Sequence, residues 1–326
     1  MVVSQGKQLK SGSNLEKVLA AGHFAVTAEV GPPKGTSPDG IREKGAKLKD
    51  CTDALNITDN QTAIVRLCSL AGCSLLKQVG ADPVMQIVCR DRNRLAIQAD
   101  VLGAVALGVR NFLCLSGDHQ KFGNHPYAKG VYDLDSTQLI ATLKRMRDEK
   151  KFICGEDISG DVPLFIGAAA NPYADPFEFR VVRLGKKIRA GVDFIQTQAI
   201  YDMDKFARFM HMACEMGLDQ QAHILAGIIP VRASGMARYM QTSVPGVAVP
   251  QSVVDRMKAA EDRGGEDRKK RAEHGREEGL KLAVELIQQV KQIPGVHGVH
   301  IMAVGWEDTV PMLVEKAGLY PRPKIA

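Results

Sequence analysis

The chain has 326 residues, 45% of them hydrophobic and 25% charged, which is long and apolar enough to bury a large core. Its formal net charge of +6 is spread through interleaved Lys, Arg, Asp and Glu, a pattern that fits solubility or attraction of anionic small molecules and argues against nucleic-acid binding. No window approaches the roughly 18 apolar residues of a membrane span, and the opening MVVSQGKQLKSGS lacks the apolar region of a secretory signal, so neither membrane insertion nor secretion is expected. Seven cysteines, odd in number and without C-x-x-C spacing, read as reduced thiols, mostly core filling, and the expected location is cytoplasmic.

In chain order, short runs rich in Val, Ile, Leu and Phe alternate with longer stretches at helical spacing. Strands are expected at 24–30, 54–59, 83–89, 111–116, 163–170, 194–200, 223–229 and 298–304. Helices are expected at 62–78, 92–107, 135–149, 177–190, 202–216 and 278–291, several of them ending at Gly or running into Pro. The repeated βα unit predicts an α/β fold, a (β/α)8 TIM barrel forming a single domain over 1–326. An open doubly wound sheet is the rival. That fold usually carries G-x-G-x-x-G after its first strand, whereas here the strand runs into Gly31-Pro32-Pro33-Lys34-Gly35, which cannot open a phosphate-binding helix. A barrel also collects polar residues just after its strands, where Glu29, Thr58, Asp59, Arg90, Asp91, Asp118, Asn171, Gln198, Arg232 and Glu307 stand. The stretch 241–278 breaks the rhythm and is expected to be an insertion of solvated helices before the last strand. Its Arg268, Lys269, Lys270 and Arg271 are largely offset by Glu266, Asp267, Glu273 and Glu277, which leaves no clear nucleic-acid footprint.

Three residues stand out for chemistry. Glu29 ends an apolar strand before a rigid Gly-Pro-Pro turn; in a mostly apolar barrel mouth it can serve as a general acid, and it can equally cap a helix or pair with Lys34. Asp118 follows Gly117, which leaves room for a flat ligand, and its carboxylate can accept two parallel hydrogen bonds from an amidine-like edge such as a pterin's; its other reading is a cap or turn residue. Gln198 offers a donor and an acceptor to a heterocycle edge, with Gln196 on the same face as its competitor. Lys186 and Lys187, with Arg180 and Arg183, can bring positive charge to a phosphate-bearing cofactor or simply form a solvated helix face. The eight histidines show no ligand spacing, and no G-x-S-x-G elbow occurs, so neither a metal site nor serine-type acyl transfer is expected.

The runs VTAEVGPP, NITDNQTA, LCLSGD, KKIRAGVDFIQTQAIYD and AGIIPV occur in an order and spacing that resembles the methylenetetrahydrofolate reductases of the bacterial, single-domain type, from about residue 14 to 320. The resemblance implies a barrel that holds FAD at the C-terminal ends of its strands and reduces 5,10-methylenetetrahydrofolate to 5-methyltetrahydrofolate, or runs the reverse. It implies that Glu29 is the acid that opens the imidazolidine ring, that Asp118 binds the pterin and tunes the flavin, and that Gln198 contacts folate. Thr58, Gly117, Asp118, Tyr132, Lys186 and Lys187 would line the FAD site. Gln86 and Asn171 stand near the flavin where many relatives have histidine, Ser116 replaces an arginine, and Arg180 and Arg183 replace an acidic and an amide residue.

The segment GVHGVHIMAVGWEDTVPMLVEKAGL is similar to the subgroup that works with a partner subunit, so the implied electron donor is NAD(P)H or a partner protein, in a homo- or hetero-oligomer. Control by S-adenosylmethionine through an added domain is not expected. Two other functions remain open from the sequence: a tetrahydrofolate-dependent methyltransferase component, which would need no flavin and no Glu29, and a non-catalytic folate-binding subunit.

Overall fold

The computed structural model describes residues 8–244 and 246–325. Its eight strands are β1 (Ala25–Val30), β2 (Ala54–Ile57), β3 (Pro83–Val88), β4 (Asn111–Leu115), β5 (Phe165–Ala170), β6 (Phe194–Ala199), β7 (His223–Ile228) and β8 (Val296–Ile301). They pair in sequence order and all in parallel, and β8 returns to β1 with Ala28 opposite Ile301. The sheet is therefore closed, which decides between the barrel and the open sheet.

Helices α1 (Asn14–Ala20), α2 (Asp39–Leu48), α3 (Ser69–Gln78), α4 (Arg94–Ala106), α5 (Ser136–Asp148), α6 (Glu178–Ala190), α7 (Met203–Glu215), α8 (Ser234–Ser243), α9 (Gln251–Asp262), α10 (Arg268–Val290) and α11 (Val310–Lys316) accompany the strands. Local chemistry sets many of their ends. Asn93 caps α4 by accepting from the Leu95 and Ala96 N–H groups, Asp135 and Gln138 form a reciprocal capping box on α5, and Gly191 stops α6 at φ 117°, a conformation that costs glycine little. Among the described residues no helix is long and apolar enough to cross a membrane.

Most boundaries shift by a residue or two from the sequence reading, and three stretches depart from it further. The helix expected over 62–78 begins only at Ser69, because Thr62 and Ala63 take left-handed φ values of 57° and 55°. Side chains from the loop after β4 capture the N–H groups nearby: Asp118 Oδ2 accepts from Thr62 at 2.9 Å and Asn124 Oδ1 from Val65 at 3.2 Å. The last strand is Val296–Ile301 rather than 298–304; the chain turns away when the Val304 N–H bonds the Met302 carbonyl and Gly305 adopts φ 64°. Across 241–278 the chain completes α8, forms α9 and starts α10 at Arg268, where Asp267 accepts from the Lys269 and Lys270 N–H groups. α9 is not wholly solvated, since Val253, Val254, Met257 and Ala260 are buried.

Inside the barrel a separate apolar plug closes the N-terminal end. Val84, Leu113, Phe165, Phe194 and Leu225 point inward from the strands and meet Leu15, Val18 and Leu19 of α1. The Phe165 and Phe194 rings stack with centroids 5.2 Å apart. Gly167 makes room for them, because a Cβ there would lie 2.2 Å from Phe194 Cζ. With the barrel interior filled at that end, its C-terminal mouth is the open end over the polar interior.

Candidate functional site

Above the plug lies a polar floor. Thr27, Asn56, Gln196 and His300 are each no more than 3% exposed, and such groups are stable there only when hydrogen-bonded. Asn56 Nδ2 donates to Gln196 Oε1 at 2.7 Å, and Gln196 Nε2 donates to Asn56 Oδ1 and to Thr27 Oγ1, both at 3.1 Å. Gln196 is thus committed to the floor. Gln198 is the residue of the pair that reaches the mouth, where its amide makes no hydrogen bond among the described residues. A break in the β6–β7 register between Gln196 and Ala199 accompanies this placement, as bulges at barrel rims often do. Gly227 permits it, because a Cβ there would meet the Thr197 carbonyl oxygen at 2.3 Å.

A cavity of about 350 Å³ opens over this floor, and Glu29, Thr58, Gln86, Gly117, Asp118 and Gln198 all line it. A second cavity of about 240 Å³ adjoins it, sharing Leu115, Ser116, Ala169 and Gln198, and its far side carries Asn171, Arg180, Arg183 and Lys187. The structure therefore brings together Glu29, Asp118 and Gln198, and places Lys187 next door. Lys186 and Tyr132 line neither cavity. Lys186 is exposed on α6, over the Phe179 ring at 5.8 Å. Tyr132 is 42% exposed in the loop before α5, where its N–H bonds the Cys89 carbonyl.

Glu29 is half-buried at the end of β1, neither a helix cap nor a partner of Lys34. Its Oε1 accepts from Gln86 Nε2 at 3.1 Å and lies 3.5 Å from His300 Nε2. Gln86 is thus turned toward the carboxylate. Thr58 donates to Gln61 Oε1 at 2.5 Å. Gly117 has φ 88°, and a Cβ there would press on Val88 and Arg90 at 3.1 and 3.2 Å, so glycine keeps the wall thin. Asp118 is exposed at the rim. Besides the Thr62 N–H on its carboxylate, its carbonyl accepts from Arg90 Nη1 at 2.9 Å.

Much of the charge at the mouth is spent on the loops themselves. The buried Arg90 bonds Asp91 and the carbonyls of Asn60 and Asp118, and the Asp91 hydrogen bond raises its pKa further. Asp59 accepts from the Val88 N–H and from Arg92. Asn171 turns its Oδ1 back onto the Tyr173 and Ala174 N–H groups, and Arg180 holds the carbonyls of Ala174 and Asp175. Lys187 is a half-buried cation of the second cavity, bonded to the Ala169 carbonyl at 2.6 Å. Burial lowers its pKa, and neighbouring Arg183 lowers it further. His300 was not singled out by its sequence context. The signal available was the alternation of β8, which sends residue 300 to the same face as 298 and 302.

A family model described as methylenetetrahydrofolate reductase matches residues 14–318. Methylenetetrahydrofolate reductase 1 of Schizosaccharomyces pombe is 27% identical over 243 residues, which is 73% of this chain and 36% of that protein. The chain thus spans about a third of that relative's length. 5,10-Methylenetetrahydrofolate reductase of Pectobacterium carotovorum subsp. carotovorum is 23% identical over 158 residues, 48% of this chain and 47% of that protein. Among solved structures, an uncharacterized protein from Clostridium thermocellum, described as binding two copies of 5-methyl-5,6,7,8-tetrahydrofolic acid, shares the fold with a TM-score of 0.59 at 15% identity, over 94% of this chain and 99% of that one. With the matched region running from α1 to the end of α11, the chain belongs to the methylenetetrahydrofolate reductase family.

Proposed function

We propose that the chain interconverts 5,10-methylenetetrahydrofolate and 5-methyltetrahydrofolate with the help of FAD. The observation that carries this reading is the convergence of the Glu29 carboxyl, a rim carboxylate, Asp118, and an amide without a partner among the described residues, Gln198, on one cavity at the barrel mouth. In this reading Glu29 protonates N10 of the folate, which opens the five-membered ring and leaves an electrophilic CH2=N+ unit. Asp118 accepts from the N3–H and 2-amino edge of the pterin, and Gln198 fixes its orientation.

The residues fit a flavin. Gly117 on the first cavity and Ala169 at the seam between the two leave little side-chain bulk against a flat ring, and Lys187, Arg180 and Arg183 supply cationic donors at the far end of the second. Thr58, Gly117, Ala169 and Gln198 would hold its ring end, and Lys187 its phosphates. Bound there, FAD supplies the hydride chemistry. Gln86 acts through Glu29, and Asn171 through the turn it builds.

Titration of the flavin-free protein with FAD, then with 5-methyltetrahydrofolate, tests the reading: both are expected to bind saturably, and failure of either would overturn it. Asp118→Asn keeps an oxygen for the Thr62 N–H but removes the charge. It is expected to weaken folate binding and turnover together by about tenfold, measured by equilibrium titration and steady-state rates, with FAD affinity little changed.

The Lys187 pKa gives a pH prediction. A bound phosphate favours the charged amine, so FAD affinity falls as pH rises through a pKa that lies below the ordinary 10.5. The flavin-free protein shows the opposite trend. Its unfolded state holds the lysine proton more tightly, so stability rises over the same window. Lys187→Met is expected to weaken FAD binding about tenfold and to abolish both pH trends, as read by flavin fluorescence and thermal melts across that range.

A further inference from the structure

We propose that His300 is a positioning residue for Glu29: fixed as the neutral Nε2–H tautomer by Thr27, it shares Glu29 Oε1 with Gln86 and so directs the transferable proton to Oε2. The inference rests on the reading of Glu29 as the acid and adds how that acid is oriented.

Gln196 is 2% exposed, so both hydrogens of its amide need acceptors. With Nε2 facing Asn56 Oδ1 and Thr27 Oγ1, both find one, at 3.1 Å each. Reversing the Asn56–Gln196 pair would leave one Gln196 hydrogen buried without a partner. Thr27 Oγ1 therefore accepts from Gln196 and must donate its own hydrogen elsewhere. His300 Nδ1 lies at 2.9 Å and the Val299 carbonyl at 3.4 Å, and the shorter contact selects the imidazole. Nδ1 is then an acceptor, so the neutral ring carries its proton on Nε2.

That Nε2–H faces Glu29 Oε1 at 3.5 Å. Contacts of this length in an active site tighten when substrate binds and charge develops. Gln86 Nε2 donates to the same oxygen at 3.1 Å. With the Gln86 hydrogen bonded to Oε1 and the His300 Nε2–H beside it, a proton there would face both hydrogens, so the acid form carries it on Oε2. Once that proton leaves, the new carboxylate already has two donors aimed at it. The other charged groups lining the mouth are engaged elsewhere: Asp59 with Arg92, Arg90 with Asp91, and Asp118 with the Thr62 N–H.

Nitrogen NMR of the protein labelled with 15N-histidine tests the tautomer, with the His300 signals assigned from His300→Gln. The expected result, wherever the ring is neutral, is protonated Nε2 and bare Nδ1, with the preference lost in Thr27→Val. Protonated Nδ1, or an imidazolium throughout, would overturn the proposal.

Kinetics test the role. His300→Gln keeps an amide donor where Nε2 was, whereas His300→Asn places its amide at the Nδ1 position. Reoxidation of reduced, FAD-loaded protein by methylenetetrahydrofolate is expected to slow about ten- to a hundredfold in His300→Asn, as for loss of a hydrogen bond to a charged group. It should stay within a few-fold of wild type in His300→Gln, and reduction of the flavin should be unchanged in both. Equal rates in the two variants would refute the positioning role. Wild-type protein that binds neither FAD nor folate would sink the functional reading instead, and the tautomer measurement needs neither ligand.

Discussion

Glu29→Gln is expected to leave FAD binding and flavin reduction intact while slowing the reaction of reduced flavin with methylenetetrahydrofolate by about 10²- to 10⁴-fold, the usual worth of a general acid. The substitution keeps the shape of the side chain and an oxygen that can accept from Gln86 and sit beside His300. What it removes is the transferable proton. Stopped-flow measurement of the two half-reactions separates the effects. If both slowed equally, displacement of the mouth would explain the result better than loss of an acid.

Phe194→Ala is expected to cost about 3–5 kcal/mol of stability, measured by denaturant unfolding. Phe194 is wholly buried in the plug, stacked on Phe165 and seated over Gly167. Its removal leaves a hole in a region that cannot easily collapse, because the surrounding strands are tied into a closed ring. Gln196 follows two residues later on the same inward face, so the polar floor is expected to loosen as well, with weaker folate binding in the protein that remains folded. A loss below about 1 kcal/mol would mean that the plug repacks freely.

The strands were legible because a barrel built of βα units repeats one simple pattern. Runs such as FAVTAEV and HILAGII are apolar enough to be buried on both faces, and the helices between them carry their own caps, such as Asn93 and Asp135. Glu29, Asp118 and Gln198 could be placed near the mouth for the same reason: each follows or ends a strand, and a barrel puts all such positions on one rim.

What local pattern could not show was how side chains far apart in sequence use one another. The 62–68 segment has helical composition, but Asp118 and Asn124 take its N–H groups from 56 and 59 residues away. Gln86 could be located beside the proposed flavin site by resemblance, yet its partner Glu29 is 57 residues distant. His300 meets Thr27 only because β8 closes on β1. Lys186 and Lys187 are neighbours in sequence and could not be told apart by charge alone. The helix turns about 100° per residue, so one faces Phe179 and solvent while the other enters the second cavity.

Everything proposed for the site depends on hydride exchange between flavin and folate at this mouth. Its most direct test loads the purified protein with FAD, reduces it with dithionite under anaerobic conditions and mixes it with 5,10-methylenetetrahydrofolate. The flavin is expected to reoxidise, with one 5-methyltetrahydrofolate formed for each flavin reoxidised. Flavin that stays reduced in the presence of bound folate would contradict it.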